Sequence, residues 1–334
     1  MRAVQVKEFG GPEVLEVLEF PAPQPDSAEV VVDVEVADVM FLDTRLRSGW
    51  GQDYFALSLP YVPGGAVGGV VSAVGAQVDP RWLGKRVVTQ TAASGIGGGL
   101  PTGGYAEKSL AKAATLTEIP DGLTTEQAVG LAHDGRTALS VFDTAAVQPG
   151  SWVLITAAAG GLGTLLTQLS VAAGAHVVAA ARGQEKLALA TRLGATAVVD
   201  YSADGWEERV REITGGGVAV VFDGAGGEIG GAALTAAADG GLFLGYGSAA
   251  GDFAQGDTEA AVARGVRVLG LFDVVEDDVD WVGITARAQQ AVAEGALEVV
   301  IGQTFPIDQV RQAHAAIESR SALGRTLLTL GASL

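Results

Sequence analysis

The sequence predicts an α/β protein, with a β-rich first third followed by a doubly wound parallel sheet of six strands. Three observations lead there. The chain of 334 residues suits two domains of ordinary size better than one. Its first third carries short alternating runs punctuated by Pro and Gly. From about Thr125 onward, continuous apolar runs alternate with helical stretches, which is how a parallel sheet covered on both faces reads.

In the first third the strand candidates are Arg2–Phe9, Val14–Val17, Glu29–Val36, Gly69–Val74, Arg86–Gln90 and Tyr105–Lys108. Pro21–Glu29 and the glycine-rich Ser94–Gly104 read as loops. In the second part, Ser151–Ala159, Ala175–Ala181, Ala195–Tyr201, Val218–Asp223, Gly241–Gly247 and Val266–Phe272 are the strands. The helices between them are Gly161–Ala173, Gln184–Leu193, Gly205–Thr214 and Glu228–Ala238. The tail from Phe305 reads strand, helix, strand and is expected to return to the first domain. The expected division is therefore 1–123 with 305–334, and 124–304 between them.

Composition excludes several functions. There is no cysteine, hence no disulfide and no thiolate zinc site. The three histidines, His133, His176 and His314, show no metal-ligand spacing, so no metal is expected. A net charge of −18 disfavours nucleic acid as a partner. No apolar run reaches the ~18 residues of a membrane span, and the N-terminus lacks the pattern of a secretory signal. A soluble cytoplasmic protein is the expectation.

The strongest local signal is Ala158-Ala159-Gly160-Gly161-Leu162-Gly163, between the first strand and first helix of the second part. It matches a phosphate-cradling turn with Ala158 in place of the first glycine. Gly160 would admit a pyrophosphate against the backbone, Gly163 would let helix and strand pack closely, and the helix N-terminus would supply amide donors. A site for NAD places an acid about 20 residues further on, at the end of the second strand. Counting from Gly163, 182 − 163 = 19, and the residue is Arg182. Lys186 follows at the start of the next helix. A guanidinium clamps a phosphate with paired hydrogen bonds, so NADPH is the expected cofactor. The alternative is that both are ordinary solvated charges, with Glu185 between them.

Several segments together resemble the zinc-independent medium-chain dehydrogenases/reductases, in their quinone oxidoreductase (zeta-crystallin-like) branch. They are the opening MRAVQVKEFGGPEVLEV, Asp43-Thr44-Arg45 with Ser48-Gly49, Val62–Gly75, Gly103–Glu107, the glycine turn, Leu193–Ala195 with the following VVDY, and the tail ESRSALGRTLL. The resemblance implies a GroES-like β-rich catalytic domain, formed by the N-terminal portion and the tail, with a Rossmann domain inserted. It also implies a homodimer paired through nucleotide-domain edge strands, here Val266–Phe272. By resemblance Tyr201 and Arg320 join Arg182 and Lys186 around the 2′-phosphate. Thr137 contacts the cofactor near the nicotinamide. Tyr246, Gly247, Leu271 and Phe272 lie along the nicotinamide-ribose end.

The chain departs from that family where the zinc enzymes carry a ligand pair, which here reads Gly64-Gly65-Ala66. It also has Met40 and Gly51 where the branch often carries Asn and Tyr. Met40, Phe41, Trp50, Tyr54, Phe55, Tyr246 and Phe272 are the expected walls of the substrate pocket, or else core aromatics and packing residues. Asp43, Tyr54 and Thr137 are the catalytic candidates, with Tyr54 as the proton donor. Asp43 either orients a donor or cofactor, or caps a local turn. His133-Asp134 is either a relay or a surface pair at a helix end. The expected reaction is hydride transfer from NADPH to a quinone or other conjugated carbonyl, without zinc. The alternatives are a 2-enoyl thioester reductase and a non-catalytic NADPH-binding protein.

Overall fold

A computed structural model describes residues 1–52, 57–91, 102–274 and 279–330. Two units emerge, Met1–His133 with Trp281–Leu334, and Asp134–Asp280. Tyr54 and Phe55, and most of the glycine-rich loop, lie outside the described residues.

The first unit opens with β1 (Arg2–Val6) and β2 (Leu15–Glu19), an antiparallel pair. Then come β3 (Glu29–Val39), α1 (Phe41–Arg47), β4 (Ala66–Val74), β5 (Arg86–Gln90), β6 (Lys108–Lys112), β7 (Thr117–Glu118) and α2 (Thr125–Leu131). Val-rich β3 is largely buried, as the central strand of a sheet must be. Tyr105–Lys108, expected as a strand, does not form one, and β6 begins at Lys108. Around Tyr105 the backbone divides its bonds between two partners, Val4 and Pro63, so no ladder extends along it.

The second unit runs α3 (Asp134–Ala145), β8 (Trp152–Thr156), α4 (Gly161–Ala172), β9 (His176–Ala181), α5 (Gln184–Arg192), β10 (Ala197–Asp200), α6 (Trp206–Thr214), β11 (Val218–Asp223), α7 (Gly227–Thr235), β12 (Ala237–Gly245), α8 (Thr258–Ala263) and β13 (Arg267–Gly270). All six strands pair in parallel, in the order β10-β9-β8-β11-β12-β13. This is the doubly wound order, third-second-first-fourth-fifth-sixth, with its reversal between β8 and β11. Leu154, Val178, Val221, Phe243 and Leu234 fill its core. Burying each such side chain contributes about 1.5–3 kcal/mol.

The chain returns to the first unit with α9 (Trp281–Ala293), β14 (Ile301–Pro306), α10 (Val310–Glu318) and β15 (Arg325–Thr329). The strand β15 pairs antiparallel with β3 and parallel with β14, so the tail completes the sheet β14-β15-β3-β4-β5-β7, with β6 also on β3. The units divide at 133/134 and 280/281, whereas the sequence suggested 123/124 and 304/305. Helices explain the shift, because α2 packs on β3 and β4 and α9 packs on α2 and β7, and an amphipathic helix carries no label for the sheet it covers.

Candidate functional site

In the second unit the glycine turn leaves β8 and enters α4. Ala157, one residue before the substituted glycine position, adopts φ +49°. A left-handed alanine costs of order 1–2 kcal/mol, and it is held here within a tight turn. A methyl on Gly163 would stand 2.5 Å from Ala157 O and 2.8 Å from Ala158 Cα. Only glycine lets α4 approach the turn this closely. A methyl on Gly160 would meet nothing nearer than Ala157 O at 3.3 Å, so that face of the turn is open. Gly160 caps α4, with Gly161 and Leu162 in its first turn, while Ala159 is buried beneath.

Where the strand order reverses, β8 and β11 are stapled together. Thr156 Oγ1 donates to Asp223 Oδ1 at 2.5 Å and accepts the amides of Gly224 and Ala225 at 3.0 and 3.1 Å. Burial raises the Asp223 carboxyl despite Thr156 and the Gly226 and Ala225 amides. Tyr246 follows β12, and a methyl on Gly224 would stand 2.6 Å from its hydroxyl. That hydroxyl is buried without a hydrogen-bond partner among the described residues. Burial, with Asp223 and Asp134 nearby, raises its pKa well above the ordinary value. Gly247 comes next, its amide bonded to Asp223 O at 3.2 Å.

Arg182 is exposed immediately beyond β9, and Lys186 lies half-buried in the first turn of α5. Tyr201 follows β10 at the same end of the sheet, its amide 3.3 Å from Ala181 O and its ring 6.3 Å from that of Trp206. Thr137 lies half-buried in the first part of α3. Phe272 is 78% exposed, in a turn beyond the outermost strand β13, with Leu271 half-buried beside it. Arg320 belongs to the first unit, exposed after α10 with φ +56°.

The first unit holds the remaining candidates. Met40 precedes α1, Phe41 opens it and Trp50 follows it, with the Arg45 guanidinium 5.1 Å from the Trp50 ring. Asp43 accepts the Met40 amide at 2.8 Å, which is the capping role considered for it. It also receives the Tyr105 hydroxyl at 3.2 Å. Tyr105 Oη lies 3.2 Å from His314 Nε2, and Arg47 donates to His314 Nδ1 at 3.2 Å. Because an arginine only donates, it fixes the neutral ring with its proton on Nε2, directed toward Tyr105. Arg47 ends in an ion pair with Glu318. Burial raises Asp43 to about 7, against the Met40 amide and the Tyr105 hydroxyl, and burial with Arg47 lowers His314 to about 3.

A second buried cluster lies in the same unit. Asp38 is fully buried, pairs with Arg325 and lies 2.9 Å from His133 Nδ1. Burial pushes its carboxyl up, but Arg325 and His133 outweigh this and hold it below the ordinary range. His133-Asp134 is thus not a surface pair, since His133 is largely buried against Asp38 and Asp134 is buried at the start of α3. Sequence reasoning missed both clusters: Asp38 with Arg325, and Arg47, Tyr105 and His314 beside Asp43. Their only signal was charge inside otherwise apolar runs, as in Val36-Ala37-Asp38-Val39.

A β-rich sheet completed by the chain's own tail, together with a six-stranded doubly wound sheet bearing a glycine turn, defines an oxidoreductase of the medium-chain dehydrogenase/reductase class. Residues 26–121 match the alcohol dehydrogenase GroES-like domain, and residues 161–301 match the zinc-binding dehydrogenase family. The quinone oxidoreductase of Pseudomonas aeruginosa is 30% identical over 98% of this chain and 99% of its own. The structure of Escherichia coli quinone oxidoreductase complexed with NADPH superposes with a TM-score of 0.88 at 28% identity, over 99% of this chain and 100% of that one. A mycobacterial protein, also complexed with NADPH, gives 0.88 at 33% identity with the same coverage. The chain belongs to the quinone oxidoreductase family.

Proposed function

We propose that the protein is an NADPH-dependent reductase that delivers hydride to a quinone or another conjugated carbonyl compound without zinc. The observation that carries the cofactor is the pairing of the open glycine turn at Gly160–Gly163 with Arg182 beyond β9, where a reader of an unphosphorylated ribose would hold an acid. Lys186 and Tyr201 complete the set proposed for the 2′-phosphate within this unit. The orphan hydroxyl of Tyr246, above Gly224 at the reversal of strand order, suits a polar group at the nicotinamide end. Relatives complexed with NADPH support this choice.

When bound, the dinucleotide supplies the hydride, and the chain positions it and the acceptor. Conjugated acceptors suit a site without a Lewis acid because their developing charge is delocalised. The zinc-free reading rests on the chain's own residues. There is no cysteine, and the three histidines are set apart, His133 against Asp38, His314 between Arg47 and Tyr105, and His176 beside Trp152. Among the described residues no group of three His, Asp or Glu could hold a metal. Thr137 and Tyr54 are proposed to orient the reactants, with Tyr54 donating the proton to the acceptor's oxygen, while Asp43 holds the start of α1. In the first unit Met40 and Trp50, and in the second Tyr246 and Phe272, are proposed to contact substrate.

A homodimer is part of this reading. The strand β13 is a sheet edge, and Val262 and Phe272 beside it are exposed. Among the described residues no helix is long and apolar enough to cross a membrane.

The test is steady-state kinetics with NADPH and NADH against a panel of quinones and enones. Arg182→Ala is expected to lower kcat/KM for NADPH about 10- to 100-fold, the scale of a lost charged hydrogen bond, while sparing NADH. Equal use of both cofactors by the unaltered protein, or no loss in the variant, rules the reading out.

A further inference from the structure

The carboxylate that the end of β9 lacks is supplied from the neighbouring strand. Asp200 ends β10 and pairs in register with Ala181, the last residue of β9. Its Oδ2 accepts the amide of Gly183 at 3.0 Å, and its Oδ1 accepts the amide of Ser202 at 2.9 Å and the Ser202 hydroxyl. Gly183 caps α5 at φ +83°, in the turn that also carries Arg182. An anion therefore sits against the residue proposed to read the cofactor. The hydrogen bonds from Ser202, with that from Gly183 and the charge of Arg182, hold this carboxyl below its usual range, so it is ionised at neutral pH.

We infer that Asp200 is a specificity-determining residue of the adenosine end, a fixed negative charge that opposes a 2′-phosphate and divides Arg182 between itself and the ligand. The inference rests on the NADPH reading above and refines it, because the site is poised to prefer NADPH only moderately and to accept NADH as well. Two charges of one sign close together repel even through water-rich surroundings, and added salt weakens that repulsion, with a screening length of about 10 Å at 0.1 M and about 3 Å at 1 M. A neutral residue that still accepts hydrogen bonds keeps the turn and removes the charge.

Dissociation constants for NADPH and NADH, measured by fluorescence titration on the full chain, decide the matter for Asp200→Asn and Asp200→Ser. Each variant that retains the wild-type melting temperature is expected to bind NADPH about 3- to 10-fold tighter at low ionic strength. NADH affinity should stay within a factor of about two, and the gain should shrink in 0.5 M salt. Asp200→Ser answers the question if Asp200→Asn does not fold. An unchanged or lowered NADPH-to-NADH preference in the folded variants overturns the inference while leaving the cofactor reading intact. A wild-type protein that binds neither dinucleotide overturns that reading, and the inference with it.

Discussion

The two units organise their polar interiors in opposite ways. In the first, polar side chains meet across great distances in sequence: Asp38 pairs with Arg325, and Asp43, Tyr105, His314, Arg47 and Glu318 form one chain. In the second, the shape at the strand ends depends on missing side chains and on backbone amides, as at Gly163 and around Thr156 and Asp223. The first arrangement is fragile to the loss of one partner, and the second to the gain of one atom.

Removing a partner should show the largest effect. Asp38→Ala leaves Arg325 buried without its carboxylate and is expected to cost about 3–5 kcal/mol in urea unfolding. Adding Arg325→Met should recover part of that loss. A double variant no more stable than Asp38→Ala would show that the pair is not the source.

Titrating a partner comes next. Asp43 holds its proton to about 7 in the folded chain against an ordinary value of 3.8. Between those values the folded state binds the proton and the unfolded state releases it, so this stabilisation is present at low pH and lost as pH rises toward 7. The loss amounts to at most ~4 kcal/mol. Asp43→Asn should therefore remove this component, so that the variant gains stability relative to wild type as pH rises from about 4 to about 7. His314 acts in the opposite sense, losing stability as pH falls below its ordinary 6.5, and is common to both proteins. Parallel stability curves for wild type and variant would contradict this account.

Adding atoms should have the smallest cost in stability and the most local one. Gly163→Val forces the turn apart and is expected to destabilise the fold by about 1–3 kcal/mol while abolishing detectable dinucleotide binding. Gly160→Ala, whose methyl meets one atom at 3.3 Å, should fold as wild type. Equal melting temperatures for Gly163→Val and wild type would break the contrast between the units.

The same contrast explains what was legible in the sequence. Apolar runs such as Val218–Asp223 formed strands at the expected positions, because a strand buried on both faces tolerates little else. The glycine turn was legible because backbone geometry restricts residue type locally. Arg182 was found by counting along one strand, but Asp200 escaped the count because it reaches the same turn from the adjacent strand, through register. The Asp38–Arg325 pair spans 287 positions, and no local pattern announces it. The helices α1, α2, α3, α8 and α9 also went unread, although side-chain caps at Asp43, Thr124 and Asp257 mark the starts of three of them.

The return of the tail to the first sheet has a consequence for biosynthesis. On its second edge β3 is paired by β6 along Glu29–Asp33, but Val36–Val39 wait for β15, nearly three hundred residues downstream. The Asp134–Asp280 unit has all six of its strands within itself and emerges whole before that happens. During vectorial synthesis the nucleotide unit is therefore expected to mature first, while the N-terminal strands, with their valines still exposed, remain the stage most open to chaperones and to aggregation.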